Sequence, residues 1–521
     1  MIKESGSITG NKKCFRMIII MLVAVLLMGI TNYTKTFLGN DETTNNVRYI
    51  SVDLVVDAML VSYYDEEATD YGLMEVYRYN GSSIETLNND EYTNGYHNSM
   101  NRIAVADNEF TSVQYQVGNI LEFYSGNSAR ITGVEADGTY LYVDYSFVGA
   151  QTDESEDMAD EEAYAGSQGS LLYLYVRDGN TGEVLAPGSV LPYVSQLGLQ
   201  GKIFSMFPKT MTIKAAAEMY QWILAFAFAV VITLICLGLY RKYDADFAVV
   251  FYLVTLLSPW VIGFSTNTYW MEVTWFLPLL VGIFCSNHIE SQKARIASYL
   301  LAFVTVAFKC ACGYEYITVV MLGTIVFLLA DLTMAIMKKQ KENIKLLLRT
   351  IFLVGVFALL GFVVVILIHA NLRGDGDILA GIQAIYREDV LRRTLGGSSN
   401  MFQDVYAESL EAPIIYVLAR YFLFKTPLLL GIPGIVFIFL VAISFAMILY
   451  GVVRKKMPKE IMVIYIWLGV MCVSWFVLGK AHSYVHTFLN YVMWYMGFVQ
   501  IIFYVPIHWI ACKIRQRRSK V

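Results

Sequence analysis

Two long apolar runs limit most strongly what this chain can fold into. The stretches "MIIIMLVAVLLMGI" (17–30) and "IFLVGVFALLGFVVVILIHA" (351–370) approach or reach the roughly 20 apolar residues that carry an α-helix across a bilayer. Charged residues make up only 16% of the chain, whereas soluble proteins contain about 25%. The sequence therefore predicts an all-α polytopic transmembrane bundle.

Charge is distributed unevenly along the chain. Residues 33–215 contain 27 acidic and 9 basic residues, whereas the rest contains 17 acidic and 30 basic residues. The sequence thus predicts an acidic polar insert and an apolar body with basic flanks. None of the seven cysteines lies in the insert, and an exported domain without disulfides favours a bacterial surface protein.

The apolar runs and the basic loops together predict ten membrane helices. The first ends at about residue 32, and the others lie at about 220–240, 246–264, 270–287, 297–313, 316–336, 346–369, 427–450, 461–479 and 490–511. With the N-terminus inside, the basic loops all fall on the cytoplasmic side, as the positive-inside rule expects. We therefore predict a multi-pass protein of the bacterial cell membrane with both termini in the cytoplasm.

This topology divides the chain into five parts. They are a cytoplasmic N-terminus with the first helix (1–32), an extracytoplasmic domain with a juxtamembrane segment (33–219), helices two to seven (220–370), an extracytoplasmic loop with an interfacial helix (371–426), and helices eight to ten with a basic cytoplasmic tail (427–521). For the interfacial helix, packing against the rim of the bundle is an equal alternative.

The insert between the first two helices is predicted to be a mixed α/β domain, partly β-rich. "TYLYVDYSFVG" alternates in part after the turn "ADG", and "SLLYLYVRDGNTGEVL" predicts a hairpin. Between them, "QTDESEDMADEEAYAGSQGS" (151–170) predicts a solvated acidic loop, because such a composition buries little apolar surface. A calcium site is the alternative there, although the ordered ligand spacing is absent.

Ionisable residues near membrane depth are the first candidates for a functional site. The topology places Glu272, Lys309, Glu315, His482 and His486 at the outer face, which predicts that they contact a substrate or a lipid phosphate. Glu272 either braces Lys309 or faces an open pocket at the start of a helix, where the helix dipole favours a negative charge. The alternative is an aromatic belt with charges that extend to the membrane surface.

Two pairs of residues have a spacing of four, which places both members on one face of a helix. His482 and His486 fit zinc by spacing, but no H-E-x-x-H motif is present, so phosphate contact or hydrogen bonding is favoured. Asp53 and Asp57 are candidate catalytic residues, because two carboxylates aimed at one place suit general-base or metal chemistry. An ordinary amphipathic helix is the alternative. The sequence identifies no cofactor, and a divalent metal is one option.

Arginines are concentrated in the predicted external segment 371–426. Arg373, Arg387, Arg392 and Arg393 would be exported cations, which the positive-inside rule disfavours. Because a guanidinium can clamp two phosphate oxygens at once, Arg392 and Arg393 are predicted to bind a lipid phosphate. Salt bridges to neighbouring acids such as Glu388 and Asp389 are the alternative.

The architecture resembles the GT-C superfamily of integral membrane glycosyltransferases, which take sugars from polyprenyl-phosphate carriers. The shared features are an inside N-terminus, about ten spans and a large first external loop. "FSTNTYWMEVTWFLP", "CGYEYITVV" and "KAHSYVHTFLNYVMWY" are similar to motifs of uncharacterised bacterial membrane proteins related to that superfamily. In the superfamily an acidic residue shortly after helix one is the catalytic base or a metal ligand. The matching position here is Asp53 or Asp57, with Asp53 preferred.

The resemblance implies that a sugar passes from a polyprenyl-phosphate carrier to a cell-surface glycan or lipid acceptor at the outer membrane face. Asp53 would deprotonate or position the acceptor hydroxyl. Arg392, Arg393, Lys309 or His486 would offset charge on the leaving phosphate, and Glu272 and Glu315 would hold the acceptor, a metal or Lys309. The implied partners are the lipid-linked donor, the acceptor and membrane lipids, and not nucleic acid.

Two other classes of protein remain open. A transporter or lipid flippase is disfavoured because clear internal repeats are absent and the polar groups cluster at one face. A non-catalytic sensor or assembly protein with an exported domain would tolerate replacement of the outer-face polar residues. The sequence has neither a P-loop nor a dinucleotide-binding fingerprint, which disfavours an ATP-driven pump.

Overall fold

The computed structural model describes residues 5–37, 44, 47–48, 50–64, 72–78, 102–107, 109–123, 128–138, 140–148, 173–183, 185, 189–394, 397–402 and 404–518. The predicted acidic loop at 151–170 lies outside these residues. The described residues are mostly helical, and the chain divides into two compact units. The helical unit comprises 1–39, 222–266 and 271–521, and the sheet unit comprises 40–221 and 267–270.

The elements are numbered in chain order. The helices are α1 (Ser5–Thr34), α2 (Val52–Tyr64), α3 (Glu109–Gln114), α4 (Leu199–Phe204), α5 (Ile213–Lys242), α6 (Ala245–Leu256), α7 (Pro259–Phe264), α8 (Val273–Asn287), α9 (Gln292–Cys312), α10 (Ile317–Gly323), α11 (Val326–Met337), α12 (Lys341–Arg373), α13 (Ile378–Ala384), α14 (Leu391–Arg393), α15 (Asp404–Glu411), α16 (Ile414–Phe422), α17 (Phe437–Val453), α18 (Lys459–Leu478), α19 (Lys480–Val485), α20 (Thr487–Asn490) and α21 (Phe498–Arg518). The strands are β1 (Glu75–Arg78), β2 (Arg102–Ala106), β3 (Ile120–Phe123), β4 (Ser128–Ala136), β5 (Tyr140–Phe147), β6 (Tyr173–Arg177), β7 (Ser189–Pro192), β8 (Pro427–Leu429) and β9 (Ile432–Pro433).

The sheet unit is built on a five-stranded antiparallel sheet with the strand order β2-β5-β4-β3-β6. Strand β5 confirms the strand predicted in "TYLYVDYSFVG", and the predicted turn before it contains Gly138 at φ +86°. Alternate residues of β5 are buried, namely Leu141, Val143 and Tyr145, because one face of the sheet covers the core. The prediction of a partly β-rich insert is therefore confirmed for this part of the chain.

The hairpin predicted in "SLLYLYVRDGNTGEVL" is present as one strand and a turn. In the turn, Asp178 Oδ1 accepts hydrogen bonds from the backbone N–H groups of Asn180 (2.8 Å) and Thr181 (2.7 Å). After the turn, the Leu185 N–H donates a hydrogen bond of 2.9 Å to the Val176 carbonyl oxygen, and the Asp178 N–H donates one of 2.8 Å to the Glu183 carbonyl oxygen, as in a hairpin. Strand β6 also pairs with β3, a distant partner that a local pattern cannot specify.

Among the described residues, seven helices are long and apolar enough to cross a membrane, or eight if the bent pair α10–α11 is one span. These helices support a membrane protein with a polytopic helical bundle, but not the count of ten. Two of the ten predicted spans, 246–264 and 270–287, contain no helix long enough to cross: the longest helix in each is α6 or α8, respectively. At 1.5 Å per residue, α6 and α8 are about 18 and 22 Å long, less than the roughly 30 Å hydrocarbon core.

A proline explains why the predicted span 246–264 is not one helix. Ser258 is extended and precedes Pro259, which occupies the first turn of α7. The residue before a proline avoids the helical conformation, so α6 ends there and a new helix begins. The Ser258 Oγ accepts a hydrogen bond from the Val261 N–H at 3.3 Å and caps α7.

The predicted span 316–336 is also broken, since α10 and α11 meet at an angle of 52°. At the break, the position of a Cβ on Gly282 in α8 would lie 2.4 Å from the Gly323 carbonyl oxygen. The backbone of α8 approaches the break so closely that only glycine fits there. This contact holds the second half of α8 close to the bent pair.

Helix α16 corresponds to the helix predicted at 412–426. It is strongly two-sided: Val417 and Tyr421 are fully buried, whereas Ile415 is 77% exposed. The Tyr421 hydroxyl donates a hydrogen bond of 2.6 Å to the Ser483 carbonyl oxygen. One face of α16 therefore packs on the bundle, as the rim alternative expected, while its other face is apolar and exposed.

Candidate functional site

A network of charged side chains joins three separate segments of the helical unit. Arg393 Nη1 lies 3.6 Å from Glu315 Oε1, and Arg393 Nη2 lies 3.4 Å from Asp389 Oδ1. Arg392 Nη2 lies 3.6 Å from the same Asp389 oxygen, and Arg373 at the end of α12 pairs with both Asp389 and Glu388. We call Glu315, Asp389, Arg373, Arg392 and Arg393 the charged cluster.

The local backbone explains how the cluster forms around Asp389. Residues 385–390 form a π-helical turn that continues directly into α14. Asp389 therefore faces Arg392 and Arg393, three and four positions later on the same face. Asp389 is only 7% exposed, and three guanidinium groups compensate the burial of one carboxylate. Arg373, Arg392 and Arg393 thus form salt bridges of the kind that the alternative expected, and phosphate binding by Arg392 and Arg393 stays a prediction.

Lys309 and Glu272 do not pair, so the bracing alternative is wrong. Lys309 is buried in the last turn of α9, and its Nζ donates a hydrogen bond of 2.7 Å to the Gly313 carbonyl oxygen. Glu315 lies within electrostatic range of Lys309. Lys309 thus supports the turn that carries Glu315, and it adds a further cation beside the charged cluster.

Glu272 precedes α8, as the sequence predicted, but its side chain does not cap that helix. It is 1% exposed, and among the described residues neither of its carboxylate oxygens has a hydrogen-bond partner. An ionised carboxylate in such surroundings costs several kcal/mol unless a partner compensates it. A buried, unsatisfied acid of this kind is a feature of functional sites rather than of a packed core.

A row of aromatic rings connects the start of α8 to the two histidines. Ring centroids are separated by 4.9 Å for Trp275–Tyr316, 5.6 Å for Tyr316–Trp475, 5.3 Å for Trp475–His482 and 4.7 Å for His482–His486. Trp275 and Tyr316 are fully buried, whereas the rings of an aromatic belt face the lipid interface. The belt alternative is therefore wrong for these residues.

The surroundings of His482 and His486 favour the uncharged form of both rings. Burial, then the neighbouring His486, Arg393 and Arg392, holds the pKa of His482 well below its usual value. Burial and the positive charges of Arg393 and Arg392 also lower the pKa of His486, while Glu315 opposes that shift. The Nδ1 of His482 is buried and has no hydrogen-bond partner among the described residues. The pair therefore lies beside the charged cluster as two uncharged imidazoles.

Asp53 and Asp57 belong to the sheet unit. They lie on α2, which confirms the predicted helix, and Val52, Val55 and Val56 of that helix are buried. Asp57 is half-buried, while the side chain of Asp53 lies outside the described part of the structure. A catalytic role for either aspartate stays a prediction.

A second polar group was not predicted from the sequence. Ligand atoms of Asp244, Asp246 and His508 lie within 4.8 Å of one another, which is close enough for the three side chains to hold one metal ion. Its members already have partners: Asp244 accepts a hydrogen bond of 2.8 Å from the Tyr504 hydroxyl, and Arg515 pairs with Asp246. These contacts tie the start of α6 to α21. His508 lies more than 250 positions after the two aspartates, so no local motif could reveal the group.

The chain matches no protein-family model, and neither the curated proteins nor the solved structures contain a match to it.

Proposed function

We propose that the protein transfers a sugar from a polyprenyl-phosphate carrier to a cell-surface glycan or lipid acceptor at the outer face of a bacterial membrane. The observation that carries this proposal is the meeting of Arg392, Arg393 and Lys309 with Glu315 and the neutral histidine pair at one end of the helical unit. Cations held in place by buried carboxylates form a preorganised site for the charge that develops on a leaving phosphate.

In the proposed reaction, the acceptor hydroxyl oxygen attacks the anomeric carbon of the sugar. The bond between that carbon and the phosphate oxygen breaks, and the phosphate leaves with the electron pair. The acceptor proton passes to a carboxylate, for which Asp53 is the proposed base and Asp57 the alternative. Arg392, Arg393 and Lys309 stabilise the phosphate, and Glu272 accepts a hydrogen bond from the acceptor.

The uncharged state of His482 and His486 supports this assignment of roles. A neutral imidazole can donate one hydrogen bond and accept another, which suits contact with a phosphate oxygen or a sugar hydroxyl. A protonated pair would place two more positive charges beside Arg392 and Arg393. We propose that the arginines supply the positive charge that stabilises the leaving phosphate, and that the histidines orient the substrate through hydrogen bonds.

Complementation of a deletion strain tests the proposal. Surface glycans and glycolipids would be profiled by mass spectrometry after rescue with Glu272→Gln, Asp53→Asn or the double variant Arg392→Ala/Arg393→Ala. We expect the native gene to restore the missing glycan and each variant to restore much less of it, at equal membrane expression. Glu342→Gln and Lys345→Gln are matched controls, because these side chains are 89% and 77% exposed.

Full rescue by all three test variants would contradict the proposal and favour a sensor or assembly protein. If deletion of the gene leaves the glycan profile unchanged, that result would also contradict the proposal and favour a sensor or assembly protein.

A second candidate, a lipid flippase or transporter, is favoured by one observation. The bend of 52° between α10 and α11 gives a discontinuous helix, and transporters build substrate sites from such helices. Reconstitution in vesicles with a fluorescent polyprenyl-phosphate sugar separates the candidates. Movement of the label between leaflets without sugar transfer supports a flippase.

A further inference from the structure

A groove on the helical unit lies apart from the charged cluster, between α5, α8 and α9. It has a volume of about 300 Å³, which is within the range of small-molecule sites. Its walls are mostly apolar side chains, among them Leu237, Leu277 and Leu280. Leu234 and Leu301, at its edges, are 36% and 42% exposed. The groove therefore opens sideways on the outer surface of the bundle, where membrane lipid would surround it.

Three polar side chains lie together at one end of this groove: Arg241 in the last turn of α5, and Asn287 and His288 at the end of α8. The other polar lining residue, Thr305, donates its hydroxyl to the Leu301 carbonyl oxygen at 2.7 Å. Asn287 donates a hydrogen bond of 2.9 Å to the Gly238 carbonyl oxygen, and His288 Nδ1 lies 2.9 Å from the Phe284 carbonyl oxygen. These contacts hold both side chains in place at the mouth of the groove.

Arg241 is the available charge at that end. It is exposed and makes no ion pair with any residue in the described ranges. The adjacent Lys242, in contrast, is paired with Asp331 at 2.6 Å. A free guanidinium at the end of an apolar groove complements a ligand with an anionic head and a hydrocarbon tail. A wholly apolar ligand would leave that charge without a function.

We infer that this groove binds one acyl chain of an anionic membrane phospholipid, with its phosphate at Arg241 and His288. The apolar walls exclude a polar ligand, and the lateral opening admits a lipid directly from the bilayer. The inference does not depend on the proposed sugar transfer, because the groove shares no residue with the charged cluster or the histidine pair.

Native mass spectrometry of the purified full chain tests the inference with phosphatidylglycerol and phosphatidylcholine of matched acyl chains. We expect phosphatidylglycerol adducts to exceed phosphatidylcholine adducts about fivefold, which is the ratio for one cation attracting an anionic head by about 1 kcal/mol. Leu280→Trp fills the groove and should remove most adducts of both lipids. Arg241→Gln should leave the adducts in place but make the two lipids equal.

Two controls address general effects of the substitutions. Leu253→Trp adds the same bulk at a leucine of α6 that is 44% exposed outside the groove, and Arg454→Gln removes a cation at the end of α17. Both should leave the adducts and their ratio unchanged. If Leu280→Trp unfolds the protein, Arg241→Gln still tests the inference, because the Arg241 side chain is exposed and its replacement should not disturb folding. Equal binding of the two lipids by the native chain, or an unchanged ratio in Arg241→Gln, would overturn the inference.

Discussion

Arg393 reaches Glu315 across 3.6 Å and thereby joins α14 to the turn between α9 and α10. Glu315 is 7% exposed, while the other anion near Arg393, Asp389, keeps Arg373 and Arg392 as partners if Arg393 is removed. Removing Arg393 should therefore destabilise mainly the carboxylate of Glu315. The pair is one of the contacts that link segment 385–393 to the ends of the long apolar helices.

A double-mutant cycle should reveal this pair. Arg393→Gln leaves a buried carboxylate without its ion pair and should reduce the free energy of unfolding by about 1–3 kcal/mol. Adding Glu315→Gln removes the unpaired charge and should recover part of the loss. The measurement is the thermal unfolding midpoint in detergent for the native chain, both single variants and the double variant. Purely additive effects would show that the two residues do not interact.

The buried histidines predict a dependence of stability on pH. His482 has a lowered pKa in the folded chain, chiefly through burial, so below about pH 6.5 the unfolded state binds more protons than the folded state. Stability should be fully present above pH 6.5 and should fall as the pH drops below it. In thermal unfolding from pH 7.5 to 5.0, His482→Gln should flatten this slope. Ser483→Ala is the control without a titrating group, and it should retain the slope of the native chain.

Lys480 should stabilise α15 rather than bind substrate. Its Nζ donates hydrogen bonds to the carbonyl oxygens of Leu410 (2.7 Å) and Ala412 (2.8 Å), at the end of that helix. Because hydrogen bonds from a charged donor contribute about 1.5–3 kcal/mol, Lys480→Met should speed amide hydrogen exchange in 404–411 about tenfold or more. Lys345→Met, at an exposed position, should not change it. Unchanged exchange in Lys480→Met would contradict this role.

Two glycines should respond in opposite ways to alanine. A Cβ on Gly282 would lie 2.4 Å from the Gly323 carbonyl oxygen and 3.0 Å from that of Thr324, whereas a Cβ on Gly355 meets no atom within 4 Å. Gly282→Ala should destabilise the bundle by about 1–3 kcal/mol, because backbone atoms must move. Gly355→Ala should be neutral or stabilising, since alanine favours the helix. Equal unfolding midpoints for the two variants would show that the backbone at the break between α10 and α11 can move away from Gly282 without a loss of stability.

Glu272 should be dispensable for folding if it serves function. Its carboxylate has no partner to lose within the described structure, so Glu272→Gln should unfold at a midpoint no lower than that of the native chain. Asp331→Asn is the matched control and should unfold earlier, because Asp331 accepts hydrogen bonds from Lys242 (2.6 Å) and Ser286 (2.5 Å). A clear loss of stability in Glu272→Gln would assign Glu272 a structural role.

The local patterns predicted the local structure well. Long apolar runs gave the helices of a membrane protein, and alternation gave β5. The position of Glu272 at the start of α8 also followed from hydropathy alone. The number of spans did not, because Pro259 splits one predicted span and a close backbone contact at Gly282 accompanies the bend in another. Both spans are mostly apolar on either side of the break, so hydropathy could not locate these breaks.

The sequence by itself determined that this chain forms apolar helices before and after an acidic insert, since burial in lipid requires uninterrupted apolar surface. It also supplied the charged residues near one end of those helices. Only the tertiary structure decided which of them meet: Arg393 pairs with Glu315, Lys309 turns to the Gly313 carbonyl, and Glu272 stays buried without a partner. Such contacts depend on how distant helices pack, and the spacing of residues along one helix carries no information about its neighbours.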